Sequence, residues 1–465
     1  MSKTTAQLSY DTLLCVFDTF ADNYGTLYQF SLVNWEFNKA ASGLLYRRIK
    51  LSPPFQRALD LKDRSTLPSR TSMHMFTSAC IARNALSVVQ LEIGGYLSIR
   101  PQPLNTLSTV LVDAIRLFTN LSSIIFTPVQ YHDEVFIQSL VVLKEVENLH
   151  NLTVNSSCMG ELTAPLLSKL EGLCNLTLHG PSRAILNIFP EWLGRMSKTL
   201  TGLHLKGNCG SVTPGVLRSF VPHVDHTLRE LTLGLSYSLA DEDVFAFIGK
   251  LRCLERLQLQ YYLQLKEPSR FPTLSTLKYF TAKHVRIYAK RDVIRFCKWI
   301  RMVVAASPIE SLRVICDDND NYPQLGPNIC FDNIINHLAA RHSTTLRALN
   351  LRSAYLSDNA LRLLFTTCTL LEELDISAGK HTMDTFQEYS RGMTRLHTAE
   401  FNIRNIKRRM FVVDQQLFTR IFSYGPGSLR RLAINGARAE AEWVSDATRN
   451  VYFVVRVLSN RTRDL

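Results

Sequence analysis

Residues Thr345 to Ser377 read TLRALNLRSAYLSDNALRLLFTTCTLLEELDIS. Apolar residues stand at Leu346, Leu349 and Leu351, and again at Leu371, Leu374 and Ile376. The last two of each triplet lie two apart, so they share one face of a short strand, where side chains alternate with period two. The same apolar spacing recurs outward in both directions. It starts at Leu86-Val89-Leu91, passes through Leu121-Ile124-Phe126, Leu200-Leu203-Leu205 and Leu254-Leu257-Leu259, and ends at Leu429-Leu432-Ile434. Thirteen such units repeat at a mean spacing of about 28.6 residues. One triplet means little, because leucine is common; thirteen at a near-regular period define a repeat.

The intervening segments carry helical patterns. Val244, Phe247, Ile248 and Leu251 follow i, i+3, i+4, i+7 spacing, with Asp241 as a cap, and Phe331, Ile334, Ile335 and Leu338 repeat it. One strand plus one helix cannot bury its apolar face alone, whereas stacked copies bury a continuous core. The period is that of leucine-rich repeats. The expected fold is therefore an α/β leucine-rich-repeat solenoid over residues 86–435, with a parallel β-sheet inside and helices outside. The stretch quoted above resembles cysteine-containing leucine-rich repeats, and the resemblance implies a structural thiol at Cys368. Residues 436–465 are expected to form a C-terminal helical cap, because Val451, Val454, Val455 and Leu458 make a helical stripe.

Residues 1–51 lack the repeat and 52–85 link the two parts. The segment LSYDTLLCVFDTFADNYGTLYQFSLVNWEFNKAASGLLYRRIKL, residues 8–51, reads as three short helices. Such a unit is too small to be comfortably stable alone. It resembles an F-box through Leu8, Asp11, Leu13, Leu14, Val16, Phe17 and Phe20, then Leu27, Val33 and the run Leu44-Leu45-Tyr46-Arg47-Arg48-Ile49. Ser9 stands where the family usually has proline, and Phe37 where it has tryptophan, with Trp35 two residues earlier. An F-box followed by leucine-rich repeats resembles the substrate receptors of Skp–cullin–F-box ubiquitin ligases. The resemblance implies a Skp adaptor and a cullin scaffold as partners, and a protein target held by the repeats for ubiquitination. Leu8, Leu13, Leu14, Val16, Phe17, Leu27 and Val33 then form either the module's core or its adaptor contact; the sequence does not divide them.

Composition narrows the alternatives. The 465 residues include 53 Lys+Arg against 40 Asp+Glu, a net charge of +13, which points to an acidic partner. The ten cysteines are scattered singly with no CxxC pair, the pattern of reduced thiols in cytosol or nucleus. Neither a secretory leader nor a membrane span is expected. The triplets Asn151-Leu152-Thr153 and Asn175-Leu176-Thr177 are then incidental glycosylation sequons. No Walker loop, GxGxxG, GxSxG or HExxH occurs. The expectation is a non-catalytic adaptor with no cofactor and no metal. Two rival classes are a repeat scaffold or inhibitor, similar to ribonuclease-inhibitor-like proteins, and, least favoured, a nucleic-acid binder using the basic clusters at Lys283–Arg301 and Arg404–Arg409. In the first cluster Val293, Ile294, Cys297 and Ile300 fit a helix face, which makes the charges its wet side.

In each unit the residues flanking the two strand leucines point onto the concave sheet. They form the candidate target surface: His204 with Lys206, Arg256, Gln258, Tyr279, Lys283, Arg313, Asn350 and Arg352, then Glu373 and Asp375. The expected map is a basic and polar middle followed by an acidic step, matched by a target with an acidic stretch. Two long loops break the period, one containing IRPQPLNT and one running from Cys316 to Cys330; Asp317, Asp318 and Asp320 in the latter are read as a solvated acidic loop.

Overall fold

Each apolar pair of the repeat lies on a strand, as the alternation requires. The computed structural model describes residues 9–51, 75–96, 107–130, 133–264, 268–317, 330–404, 413–445 and 451–458. Leu8, the IRPQPLNT loop, Asp318, Asp320 and the Ile406–Arg409 part of the second basic cluster lie outside the described residues. The chain divides into two compact units, Met1–Leu228 and Arg229–Leu465.

The first unit contains strands β1 (Arg48–Leu51), β2 (Gln90–Tyr96), β3 (Ser123–Gln130), β4 (Asn151–Asn155), β5 (Asn175–His179) and β6 (Gly202–Asn208). Each pairs in parallel with the next, in the register Ile49–Leu91–Ile124–Leu152–Leu176–Leu203. The second contains β7 (Glu230–Leu235), β8 (Arg256–Tyr261), β9 (Tyr279–His284), β10 (Ser311–Cys316), β11 (Ala348–Leu356), β12 (Glu373–Ala378), β13 (Thr398–Ile403) and β14 (Arg431–Ile434). These are parallel too, in the register Leu231–Leu257–Phe280–Leu312–Leu349–Leu374–Ala399–Leu432. Every side chain in both rows is at most 2% exposed. Burying each leucine contributes about 1.5–3 kcal/mol, so the stacked rows are the main stabilising feature.

Three features depart from the sequence reading. The first repeat is shifted by two residues: Val88, Leu91 and Ile93 are fully buried, whereas Leu86 is 59% exposed. A strand also precedes it, since β1 pairs with β2 and Leu51 is buried, so residues 48–51 belong to the sheet as well as to the end of the helical module. Finally, the C-terminal cap is a β-hairpin and not a helix. β15 (Ala437–Ser445) pairs antiparallel with β14, and β16 (Val451–Leu458) pairs antiparallel with β15. The turn is Asn435-Gly436, with φ of 50° and 89°, the positive values that a two-residue hairpin turn demands. The β-branched valines that line up at helical spacing lie on β16 and favour a strand on the edge that β15 presents.

The N-terminal module is three helices: α1 (Tyr10–Asp18), α2 (Tyr24–Ser31) and α3 (Trp35–Leu45). Each has a side-chain cap. Ser9 Oγ accepts from Thr12 N–H at 3.2 Å, Asn23 Oδ1 from Thr26 at 3.1 Å and Asn34 Oδ1 from Phe37 at 2.9 Å. Ser9, the departure from the F-box pattern, thus serves as a helix cap.

The outer helices follow the predicted stripes with small changes. In Asp241–Ile248 the capping carboxylate is Asp243, which accepts from Ala240 N–H at 3.0 Å, and Asp241 is the first helical residue. In Lys290–Val304 the inward residues are Val293, Phe296, Cys297, Trp299 and Ile300, while Ile294 is 47% exposed. Phe296 and Trp299 take the inward positions and Lys298 stays exposed, so this basic cluster is in part the helix's wet side. Cys368 caps the helix Asp358–Thr367, is fully buried, and has its thiol pKa pushed up by that burial. A thiol reagent applied to the native protein is expected to label exposed Cys15 rapidly. Buried Cys158, Cys209, Cys297 and Cys368 should react only at the rate of unfolding, as read by mass spectrometry of quenched samples.

Candidate functional site

Six of the seven F-box residues are described, and they differ in burial. Leu13, Phe17 and Leu27 are buried with Ala40, Ala41, Leu44 and Leu45, and Phe17 stacks on Phe30 at 4.6 Å between ring centroids. Leu14 is half-buried against that core. Val16 and Val33 face solvent, at 47% and 59% exposure. They are not alone: Phe20, Leu32 and Trp35 are exposed on the same 45-residue module, Trp35 at 72%. The module therefore closes its own core and still presents apolar side chains that nothing among the described residues covers. These exposed apolar side chains are the module's candidate contact residues.

In both units the sheet has one face buried against the helices and one open face. On the open face of the second unit, β8 to β12 bring together Arg256, Gln258, Tyr279, Lys283, Arg313, Asn350, Glu373 and Asp375 in neighbouring registers. Arg352 sits at a bulge in β11. The expected basic middle is largely compensated from within. Arg256 Nε lies 3.3 Å from Glu230, with its guanidinium 4.0 Å from the Tyr279 ring centroid. Lys283 Nζ lies 3.6 Å from Asp317, and Arg352 Nη1 reaches Glu400 at 2.6 Å. Asn350 Nδ2 donates to Asp375 at 2.9 Å. Asp375 of the acidic step thus accepts from Asn350 on the adjacent strand, while Arg352 reaches past β12 to Glu400 on β13, a consequence of register that a linear charge map does not reveal.

His204 stands apart from these residues, on β6 of the first unit. Its open face carries two cross-strand rows: Arg48–Gln90–Ser123–Asn151–Asn175–Gly202 and Lys50–Glu92–Ile125–Thr153–Thr177–His204. Asn175 Nδ2 donates to Asn151 Oδ1 at 2.8 Å, and Asn151 Nδ2 donates to the Ser122 carbonyl at 3.4 Å. A Cβ at Gly202 would come within 2.1 Å of Asn175 Oδ1, so the glycine lets that carboxamide lie across β6. A depression of about 450 Å³ runs along these strands, from Arg47 and Arg48 at one end to His204 and Lys206 at the other. Its asparagines and threonines come from the two Asn-Leu-Thr triplets. These recur at one repeat position because Asn and Thr face outward while the intervening leucine is buried, and that recurrence was the signal for the surface.

Burial, with Lys206 adding to it, lowers the His204 pKa to about 4. The ring is therefore neutral at pH 7. The unfolded chain, with an ordinary imidazole near 6.5, binds more protons between pH 6.5 and 4, so this group's contribution to stability is present above that window and lost as pH falls through it. Histidine Cε1–H NMR titration should place the His204 midpoint near 4, with Lys206→Met moving it upward.

No protein-family model matches the chain, and no curated protein matches it by sequence. Among solved structures, the chain is similar to one in the crystal structure of the Rad7 and Elc1 complex in yeast. The identity is 12% and the TM-score 0.39, over 92% of this chain and 93% of that one. It is also similar to a chain in the crystal structure of the TLR13–ssRNA13 complex, at 14% identity and TM-score 0.34, over 76% of this chain and 44% of that one.

Proposed function

We propose that this protein is the substrate-recognition subunit of a Skp–cullin–F-box-type ubiquitin ligase, with the helical module docking on the Skp adaptor and the repeats holding a protein target for ubiquitination. The observation that carries this reading is the division of the F-box residues. Leu13, Phe17 and Leu27 make a core, while Val16, Leu32, Val33 and Trp35 stay exposed, as an adaptor contact requires. The direct run of α3 into β1 supports it further, because a module joined to the sheet without a linker holds a target in a defined place relative to the adaptor. In this role the chain is non-catalytic, works in cytosol or nucleus, and leaves the transfer chemistry to its partners. The nucleic-acid reading, which rests on the clusters Lys283–Arg301 and Arg404–Arg409, loses support in the first of them, where Lys283 pairs with Asp317 and Arg291 with Asp292.

The test is capture of a purified Skp-family adaptor and cullin by the full chain. Deleting residues 1–51 is the wrong control, because it also removes β1 and uncovers the edge of β2. Substituting the exposed residues keeps the sheet intact. Adaptor capture lost on those substitutions supports the receptor. A natively folded chain that never captures the adaptor leaves the repeat-scaffold class in its place.

A further inference from the structure

We propose that the open face of the first unit is a binding site for an extended peptide bearing acidic side chains near both ends. The proposal rests on the receptor reading for its biological setting and on the ledge alone for its chemistry. Cations stand at both ends: Arg47 and Arg48 where β1 begins, and Lys206 on β6. Among the described residues no carboxylate lines the depression between them. Glu92, the nearest acid in the cross-strand rows, is held by Lys50 at 2.6 Å. Arg47 and Arg48 contact Asp18 and Asp22 at 3.5 and 3.1 Å, but these pairs are solvent-exposed and a ligand carboxylate can replace them at little cost.

The floor between the charged ends is amide and hydroxyl. Asn151 and Asn175 are fixed by each other and by Ser122, which leaves the second proton of each side-chain amide free of that ladder. A carboxamide offers the same donor and acceptor as a peptide group, so pre-oriented asparagines suit a peptide backbone. Among the described residues the His204 imidazole at one end is the single aromatic ring lining the ledge, so there is no row of platforms for stacking successive bases, which argues against a single-stranded nucleic acid. The length sets the spacing. Five strand intervals of about 4.8 Å separate β1 from β6, roughly 24 Å, and an extended chain at about 3.3 Å per residue covers that in about seven residues.

The experiment is selection of random nine-residue peptides displayed against the full-length protein, followed by anisotropy titration of the enriched sequences. The proposal expects Asp or Glu enriched at two positions about six or seven residues apart. It expects Lys206→Glu and Arg48→Glu each to weaken the selected peptides at least tenfold, with Lys substituted at the matching peptide end restoring binding to Lys206→Glu. Lys250→Glu, an equal charge change at an exposed loop of the second unit, should leave affinity unchanged. Peptides without acidic bias, an acidic bias insensitive to both charge reversals, or preferential binding of a single-stranded oligonucleotide on this face would each overturn it. Adaptor capture by the wild-type chain is measured in parallel: capture without selection of acidic peptides is failure of this site alone, and selection of acidic peptides without capture is failure of the receptor reading alone.

Discussion

Val33→Asp with Trp35→Asp abolishes capture of the Skp-family adaptor, by at least a hundredfold in Kd, and leaves the folded chain unchanged by circular dichroism and thermal melting. The two halves of that expectation have separate causes. Val33 and Trp35 are 59% and 72% exposed and flank the Asn34 cap without supplying its hydrogen bond, an aspartate in the first turn of α3 is favoured by the helix dipole, and exposed substitutions that leave caps and cores in place usually move stability by no more than about 0.5 kcal/mol. At an apolar interface, however, each new carboxylate loses its water without gaining a partner, a cost of several kcal/mol against the roughly 2.7 kcal/mol that a hundredfold represents. Leu27→Asp supplies the contrast. Leu27 is fully buried, so the same charge there unfolds the module, and binding and helicity are lost together.

The second large effect lies in the first unit's core. Trp192→Ala is expected to destabilise the protein by about 3–5 kcal/mol, because a fully buried indole leaves a cavity that its neighbours fill only in part. Trp192 packs edge-on against Phe189 at 5.7 Å, and its Nε1–H donates to the Leu170 carbonyl at 2.8 Å. Trp192→Phe keeps the six-membered ring and loses the pyrrole ring with its Nε1–H donor, so it should cost a smaller amount of about 1–3 kcal/mol. Scanning calorimetry ranks the two. For a unit of this size the alanine variant lowers Tm by roughly 10 °C, and equal shifts for both variants would mean that the hydrogen bond, not the packing, is the larger contribution.

The repeat was legible because its signal is periodic and its cause is burial: Leu349, Leu374 and their register partners are apolar for the same reason thirteen times over. Where one unit departs from the pattern, the reading slips. Val89 and Leu91 mimic the strand pair that Leu91 and Ile93 supply. At the C-terminus the Asn435-Gly436 turn folds β15 back along β14, and β15 then offers an edge on which Val451, Val454, Val455 and Leu458 pair as β16 in spite of their helical spacing. The candidate sites were legible in kind more than in detail. Which side chains face outward follows from alternation. Whether Arg352 is free or held by Glu400, two strands away, depends on register, which no linear pattern carries. The division of Leu27 from Val33 likewise needs the packing of α1 against α3.

Light scattering of the full-length chain mixed with a purified Skp-family adaptor at micromolar concentration tests the central claim most directly. The account predicts a single 1:1 species whose mass is the sum of the two chains and which separates into its components in the Val33→Asp, Trp35→Asp variant. A natively folded wild-type chain that elutes apart from the adaptor at every concentration up to tens of micromolar would contradict it.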